Sequence, residues 1–215
     1  MKIAVIGATG FVGSNVVKEL VLRNHDVLGI SRKKGLVEDE HLHYASVDIF
    51  NEDELAKAVA GYDVVVNAFF PGFGDEDVCS TFLKGLISVQ KSVKKAGVKR
   101  LIVIGEAGSL YVSEGVQFFD TPDYPDEYTQ GSKAANEYLK MIKEEKELDW
   151  AYFCPAPEMH EGITTGRTGK YRLGLESPVY NDEQRSIISV EDVGYVIADE
   201  IENHKHSRVR FTAAY

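Results

Sequence analysis

The sequence of 215 residues has only two cysteines, one tryptophan and no long apolar run. Cys79 and Cys154 lie far apart and match no zinc or redox spacing, so a disulfide framework is excluded and both are expected to be buried small apolar residues. No apolar run reaches the roughly 18 residues of a membrane helix. A strand-like segment begins directly after Met1-Lys2, which leaves no room for a secretion signal. The sequence therefore predicts a soluble, cytoplasmic protein.

Positive charge is also scarce, because 24 basic residues face 34 acidic ones and the formal net charge is −10. Such a surface repels phosphate backbones and anionic lipid, so neither a nucleic-acid nor a membrane partner is expected. The pairs His41/His43 and His204/His206 have no carboxylate or cysteine pattern around them, and no metal site is predicted. A hydrophobic fraction of 44% is that of an ordinary globular protein.

Short β-branched runs alternate with amphipathic stretches along the chain. The predicted strands cover 3–6, 26–30, 42–47, 64–66, 101–104, 150–153 and 208–212, and the predicted helices 12–21, 53–60, 78–96, 127–146 and 190–201. Continuously apolar strands are typical of a parallel sheet covered on both faces. The pattern predicts one α/β domain over residues 1–215, a three-layer, doubly wound, mostly parallel Rossmann fold. Residues 155–215 are expected to add a small substrate-side lobe.

A glycine-rich loop follows the first strand and opens the first helix. Gly7, Gly10 and Gly13 have the spacing Gly-x-x-Gly-x-x-Gly, and the segment also contains Thr9, Phe11 and Val12. The first glycine permits a tight turn, the second lets the backbone approach a pyrophosphate, and the third lets helix and strand pack closely. Backbone N–H groups at the helix N-terminus then neutralise the phosphates. The loop predicts a dinucleotide site, and an ordinary glycine-rich turn is the alternative.

The residues after the second strand predict which dinucleotide binds. An NAD site carries an acidic residue there, whereas this chain has Ser31, Arg32, Lys33 and Lys34. Adjacent cations suit a 2′-phosphate, so NADP(H) is predicted in preference to NAD(H), and a solvated surface run is the alternative. Asp48 is expected to accept from the adenine amino group unless it only forms a turn.

Several motifs together resemble those of a known family. They are 7–13, 47–49, 105–110, 168–174, 188–193 and 210–212. With them the chain resembles the atypical short-chain dehydrogenase/reductases, specifically the NAD(P)H-binding branch of biliverdin reductase B (flavin reductase) and the NmrA-like proteins. It departs at Glu106, where many bacterial relatives have glycine. The resemblance implies a Rossmann fold and NADPH use but no particular substrate, because members include reductases and cofactor-sensing regulators. Further cofactor contacts are expected at Ile49, Ala68, Phe69, Gly105 and Pro155.

The catalytic residues are less evident. Reductases of this superfamily usually carry Tyr-x-x-x-Lys, but Tyr128 and Lys133 are five positions apart, which puts them some 140° apart around an ideal helix. Tyr128 is a candidate proton donor or a packed aromatic residue, and Lys133 a ribose ligand or a solvated cation. Ser109 could orient a carbonyl or belong to a turn. His160 could steer an anionic substrate or relay a proton, although most loop histidines do neither.

Aromatic residues suggest the class of acceptor. The 105–126 segment contains Tyr111, Phe118, Phe119 and Tyr124, and Phe69-Phe70 follows the fourth strand. These rings either line a cleft for a flat molecule or pack in the core. The first hypothesis is an NADPH-dependent oxidoreductase that passes hydride to a flavin, a quinone or another aromatic or carbonyl acceptor. The alternatives are a non-catalytic NADP(H) sensor acting through a protein partner and, more weakly, a sugar-nucleotide epimerase or dehydratase.

Overall fold

A computed structural model describes residues 1–33, 36–72 and 75–215, which form a central sheet between helices. The strands are β1 (Lys2–Ile6), β2 (Asp26–Ser31), β3 (Leu42–Ser46), β4 (Val64–Asn67), β5 (Arg100–Ile104), β6 (Tyr111–Ser113), β7 (Val116–Gln117), β8 (Asp149–Cys154), β9 (Arg172–Gly174) and β10 (Val209–Ala214). The helices are α1 (Phe11–Leu22), α2 (Glu52–Val59), α3 (Val78–Ala96), α4 (Asp126–Lys143) and α5 (Val190–Asn203).

Eight of the strands form one sheet in the order β3-β2-β1-β4-β5-β8-β10-β9. Every pair is parallel except β10 with β9, which is antiparallel. From β1 the chain first adds β2 and β3 on one side and then β4, β5 and β8 on the other. The strand order therefore reverses between β1 and β4, where open α/β sheets bind ligands at the carboxyl ends of the strands. The predicted Rossmann fold is confirmed.

Two hydrophobic clusters cover the two faces of the sheet. Helices α2, α3 and α4 bury their apolar faces on one side, and α1 packs with α5 on the other. Helices α3 and α5 begin where a side chain satisfies a free backbone N–H group, since Asp77 accepts from Ser80 N and Ser189 accepts from Asp192 N. None of the described helices is both long and apolar enough to cross a bilayer.

The segments between these elements were harder to anticipate. A small hairpin, β6–β7, interrupts the 105–126 connection, and β9 closes one edge of the main sheet. α5 and β10, within the predicted 155–215 lobe, belong to the main layers. Much of the rest of that region lies outside regular elements. Part of it is held by Asp192 of α5, which accepts hydrogen bonds from the backbone N–H groups of Thr168 (2.9 Å) and Gly169 (2.8 Å).

Candidate functional site

The predicted cofactor residues follow the carboxyl ends of neighbouring parallel strands. Gly7 follows β1, Arg32 follows β2, Ala68 follows β4, Gly105 follows β5 and Pro155 follows β8. Parallel pairing puts all these strand ends at one edge of the sheet. The structure therefore brings together residues from five separate parts of the sequence along the crevice where the strand order reverses.

The glycine loop is shaped by two close backbone approaches. Gly7 has φ +77°, and a Cβ there would lie 2.4 Å from the carbonyl oxygen of Ala68. A Cβ on Gly13 would lie 2.2 Å from the carbonyl oxygen of Gly7, which belongs to rigid backbone. Gly10 is more open, since its nearest contact would be 3.3 Å, again to Gly7 O. The first and third glycines are thus required by turn and packing geometry, as their spacing indicates, and Gly10 faces a looser space.

The N-terminus of α1 has backbone donors to offer an anion. Gly10 is the N-cap and contributes no side-chain bond, and the first turn contains no acidic residue. Phe11 is exposed and Thr9 and Val12 are half-buried, so this helix end opens toward the crevice. An uncapped helix N-terminus carries unsatisfied N–H groups and partial positive charge. This arrangement fits the pyrophosphate of a dinucleotide.

Two exposed cations stand where β2 ends. The side chains of Arg32 and Lys33 extend into solvent, and none of the carboxylates in residues 1–33, 36–72 and 75–215 pairs with either. The backbone beneath them is held, because Ser31 Oγ accepts from Lys33 N at 3.1 Å and Ser46 Oγ donates to Arg32 O at 3.3 Å. Lys34, the last residue of the predicted run, lies outside the described residues. The geometry suits a 2′-phosphate ligand.

Asp48 and Ile49 lie just beyond β3. Asp48 is exposed and accepts from Phe50 N at 3.1 Å, the bond of a turn aspartate, and its other carboxylate oxygen has no donor among the described residues. Ile49 is buried, and its carbonyl accepts from Ser88 Oγ at 2.6 Å. Asp48 therefore stabilises the turn, independently of the predicted contact with adenine.

The end of β4 contains a buried polar residue that was not among the site residues predicted from the sequence. Asn67 is buried, and its Oδ1 accepts from Phe69 N at 3.1 Å, but its Nδ2 has no partner among the described residues. The signal that could have identified it is an amide side chain at the end of an otherwise apolar strand. Half-buried Phe69 packs its ring against Phe82 at 6.2 Å and over Gly85, so core packing occupies much of that ring.

Three predicted side chains lie in settings that favour the simpler interpretation. Ser109 is fully buried, its hydroxyl donates to Glu106 O at 3.2 Å, and its carbonyl accepts from Arg210 at 2.6 Å. Lys133 is on the exposed side of α4, and exposed His160 accepts from Gly162 N through Nδ1 at 3.1 Å. A turn serine and a solvated cation account for the contacts of Ser109 and Lys133, so neither enters the proposal below.

Two tyrosines lie near the start of α4. The Tyr124 hydroxyl is 2.5 Å from Ser132 Oγ, and its ring meets Phe118 edge to face at 4.9 Å. Burial raises the pKa of Tyr124 to about 12. Tyr128, in the first turn of α4, hydrogen-bonds Glu127, and this bond and desolvation raise its pKa. Both hydroxyls therefore stay protonated at neutral pH.

Glu106 is the strongest electrostatic feature of this edge. Its half-buried carboxylate forms no hydrogen bond or ion pair with any part of the chain that the structure describes. Desolvation alone raises its pKa to about 7. Its charge in turn raises the pKa values of Tyr124 and Tyr128, so the three groups share one region. The sequence showed Glu106 only as a departure from glycine, because burial without a partner is a tertiary property.

Known proteins agree with this geometry. The sequence model of the NAD(P)H-binding family matches residues 7–204. An uncharacterised protein of Bacillus subtilis, YwnB, is 33% identical over 214 residues, which cover 99% of this chain and 97% of that protein.

Solved structures have the same fold over the whole chain. A Bacteroides thetaiotaomicron protein named as a candidate epimerase is 38% identical with a TM-score of 0.90, covering 100% of this chain and 96% of that one. A Streptococcus pneumoniae protein named as a candidate NADH-flavin reductase is 30% identical with a TM-score of 0.85, covering 100% and 99%. The resemblance to the atypical short-chain dehydrogenase/reductases is thereby confirmed.

Proposed function

The chain belongs to the NAD(P)H-binding family, and on that premise we propose that it is an NADPH-dependent oxidoreductase that reduces a flat, conjugated small molecule such as a flavin or a quinone. The observation that carries this proposal is the pairing of an uncapped glycine cradle at α1 with two unpaired cations, Arg32 and Lys33, at the neighbouring strand end. Pyrophosphate and 2′-phosphate are the groups that these two features suit.

Separate groups of residues bind the separate parts of the cofactor in this proposal. Backbone N–H groups of the 7–13 loop hold the pyrophosphate, and Arg32 and Lys33 hold the 2′-phosphate. Asp48 is the candidate ligand for adenine, and the ends of β4 and β5, with Ala68 and Gly105, face the nicotinamide half. NADPH bound there supplies a hydride.

Aromatic side chains and one relative support a planar acceptor. Phe118, Tyr124 and Tyr128 are half-buried, and Phe118 packs against Tyr124, so their exposed surfaces offer stacking area for a planar molecule. The Streptococcus pneumoniae relative is named as a candidate NADH-flavin reductase, which supports a flavin as one such molecule. Flat conjugated acceptors take hydride when they stack against a nicotinamide, without the Tyr-x-x-x-Lys pair that this chain lacks.

Steady-state turnover tests the proposal. NADPH oxidation is followed at 340 nm against flavin mononucleotide, several quinones, biliverdin and small aldehydes, with an acceptor-free control. We expect rates that saturate with the planar acceptors and remain low with the aldehydes. Faster reduction of aldehydes than of every planar acceptor would assign the protein to carbonyl reduction instead.

A second function is favoured by one observation. The position four residues before Lys133 is Thr129, and Lys133 itself is exposed, so the usual catalytic pair is missing from both sequence and structure. A non-catalytic NADP(H) sensor needs no such pair. It predicts NADPH binding with no oxidation by any acceptor, and binding of a protein partner that differs between NADPH and NADP⁺. The missing pair also disfavours an epimerase, despite the name of the Bacteroides thetaiotaomicron relative.

A further inference from the structure

Glu106 is a half-buried carboxylate at this edge that has no hydrogen-bond or ion-pair partner among the described residues. It follows β5 directly and precedes the 3₁₀ turn at Ala107–Ser109. A Cβ on Gly108 in that turn would lie 2.5 Å from Ser132 Oγ and 2.8 Å from Tyr124 Oη, so the turn packs tightly against this tyrosine–serine pair. The backbone next to Glu106 is thus fixed by packing, and its carboxylate oxygens have no donor among the described residues. Such groups are costly unless they have a ligand or a proton.

The groups whose pKa values Glu106 raises come from three other parts of the chain and are neutral at pH 7. The buried guanidinium of Arg210, which pairs with Glu176, also acts on two of them, Tyr152 and Cys154, and lowers their pKa values. Tyr124 lies in the connection before α4, Tyr128 on α4, and Tyr152 and Cys154 on β8, and the charge of Glu106 raises the pKa of each. Burial raises the pKa of Cys154 to about 11 and that of Tyr152 well above its usual range. No cation lowers the pKa of Glu106, which lies at about 7. Glu106 is therefore the group of this cluster that exchanges a proton near neutral pH.

From this placement we propose that Glu106 is the proton donor of the reduction, and that the substrate is an acceptor whose reduced form takes up a proton on oxygen or nitrogen. This inference rests on the proposed reductase function and specifies its substrate class. Carboxyl groups held protonated by a desolvated site are established general acids in enzymes.

For a quinone, the reductant is NADPH, which is oxidised to NADP⁺ when it loses a hydride. The quinone gains that hydride, which carries two electrons and one hydrogen, and it takes one proton from the Glu106 carboxyl group as the O–H bond breaks and a bond to the quinone oxygen forms. The product is the hydroquinone, and the Glu106 carboxylate takes a proton back from water on its exposed side.

Two acceptors separate proton donation from hydride transfer. A naphthoquinone needs a proton, whereas the cationic N-methylphenazinium becomes neutral by taking hydride alone. In Glu106→Gln the rate with the naphthoquinone should fall about 100-fold or more at pH 6, and the rate with N-methylphenazinium should stay within about threefold of wild type. Glu137→Gln, the same change on the exposed side of α4, is the matched control and should leave both rates unchanged.

The pH dependence gives a second signature. A general acid is active when protonated, so the wild-type rate with the naphthoquinone should fall above pH 7 by up to about tenfold per pH unit. Glu106→Gln should lack this fall, and N-methylphenazinium reduction should lack it in both proteins.

A measurement without turnover tests the group itself. In protein containing ¹³C-carboxyl-labelled glutamate, one resonance should titrate near pH 7, and Glu106→Gln should remove it while NADPH affinity stays within about threefold. Absence of such a resonance, or equal loss of both acceptors in Glu106→Gln, would overturn the proton-donor role. If the wild type reduces neither acceptor, the reductase function itself fails, and the proton-donor role with it.

Discussion

Arg32 and Lys33 form a local positive site on a protein whose net charge is −10. Neither side chain has a described carboxylate partner, so both are ready to meet an anion without first breaking an ion pair. Charge-assisted bonds to phosphate contribute more than neutral ones, and they act only on a dinucleotide with a 2′-phosphate. The proposed preference for NADPH therefore depends on these two side chains.

Replacing both cations tests that preference. Arg32→Ala/Lys33→Ala should weaken NADPH binding by about 1–3 kcal/mol and leave NADH binding nearly unchanged, as measured by fluorescence titration. Lys143→Ala, near the end of α4, is the control cation and should change neither affinity. Equal weakening of NADPH and NADH would contradict the 2′-phosphate assignment.

The glycines of the loop divide into packing and ligand-facing roles. Gly13→Ala should lower Tm by roughly 3–10 °C, because its methyl group would lie 2.2 Å from a backbone oxygen that cannot move aside cheaply. Gly10→Ala should keep Tm within about 2 °C, since its Cβ meets only one contact, at 3.3 Å. It should nevertheless weaken NADPH binding, because the added methyl group stands between the helix and the pyrophosphate. Thermal melts and NADPH titrations of both variants check this; a large Tm loss in Gly10→Ala would refute the division.

At the scale of elements, the long helices and buried strands were predictable from the sequence. The expected helix at 78–96 has the bounds observed for α3, because its apolar face repeats regularly and Gly97, at φ +76°, ends it. The parallel strands were recognisable because they are apolar on both faces. Such elements follow local rules that agree with the global packing.

The short elements were not predictable. β6, β7 and β9 have only two or three residues each, too few for a period, and they are held by distant side chains. Arg210 on β10 is almost fully buried and donates to Ser109 O at 2.6 Å and to the Glu176 carboxylate. Nothing near Ser109 or Glu176 in the sequence indicates that partner. The lack of described partners for the Glu106 carboxylate and for Asn67 Nδ2 was not predictable either, because it also depends on residues that are distant in the sequence.

Removal of the Arg210 contacts with Ser109 and Glu176 should make residues 105–120 more mobile. Arg210→Met should destabilise the fold by about 1–3 kcal/mol, with the carboxylate of Glu176, half-exposed, recovering water as a partner. Hydrogen exchange should accelerate at Tyr111 and Phe118, whose amides bond Glu176 O and Leu110 O, before it accelerates in β1. Arg172→Met, an exposed arginine on β9, should not affect these amides; uniform acceleration throughout the sheet in Arg210→Met would contradict a local tie.

At the scale of the whole molecule, the proton donor imposes a cost on stability. Desolvation raises the pKa of Glu106 from its ordinary 4.5 to about 7. Between those values the folded state holds a proton that the unfolded state has released, so this residue contributes less to stability as pH rises. A site arranged for chemistry is often destabilising in this way.

Glu106→Gln should therefore be more stable than wild type in alkaline buffer. The gain in Tm should be near zero below about pH 4.5, where the carboxyl group is neutral in both states, and should grow as pH rises through about 7. Thermal melts at several pH values measure it, with Glu137→Gln as the control. A Tm gain that is the same at pH 4 and pH 8 would show that the effect is not ionisation.

A single-turnover experiment tests whether the protein reduces an acceptor with bound NADPH. Protein loaded with one equivalent of NADPH is mixed anaerobically with a naphthoquinone in a stopped-flow instrument, and absorbance is followed at 340 nm. A reductase predicts complete loss of the NADPH signal at a rate that saturates with quinone concentration and far exceeds that of free NADPH. Bound NADPH that is oxidised no faster than free NADPH, with this quinone and with flavin mononucleotide, would contradict it.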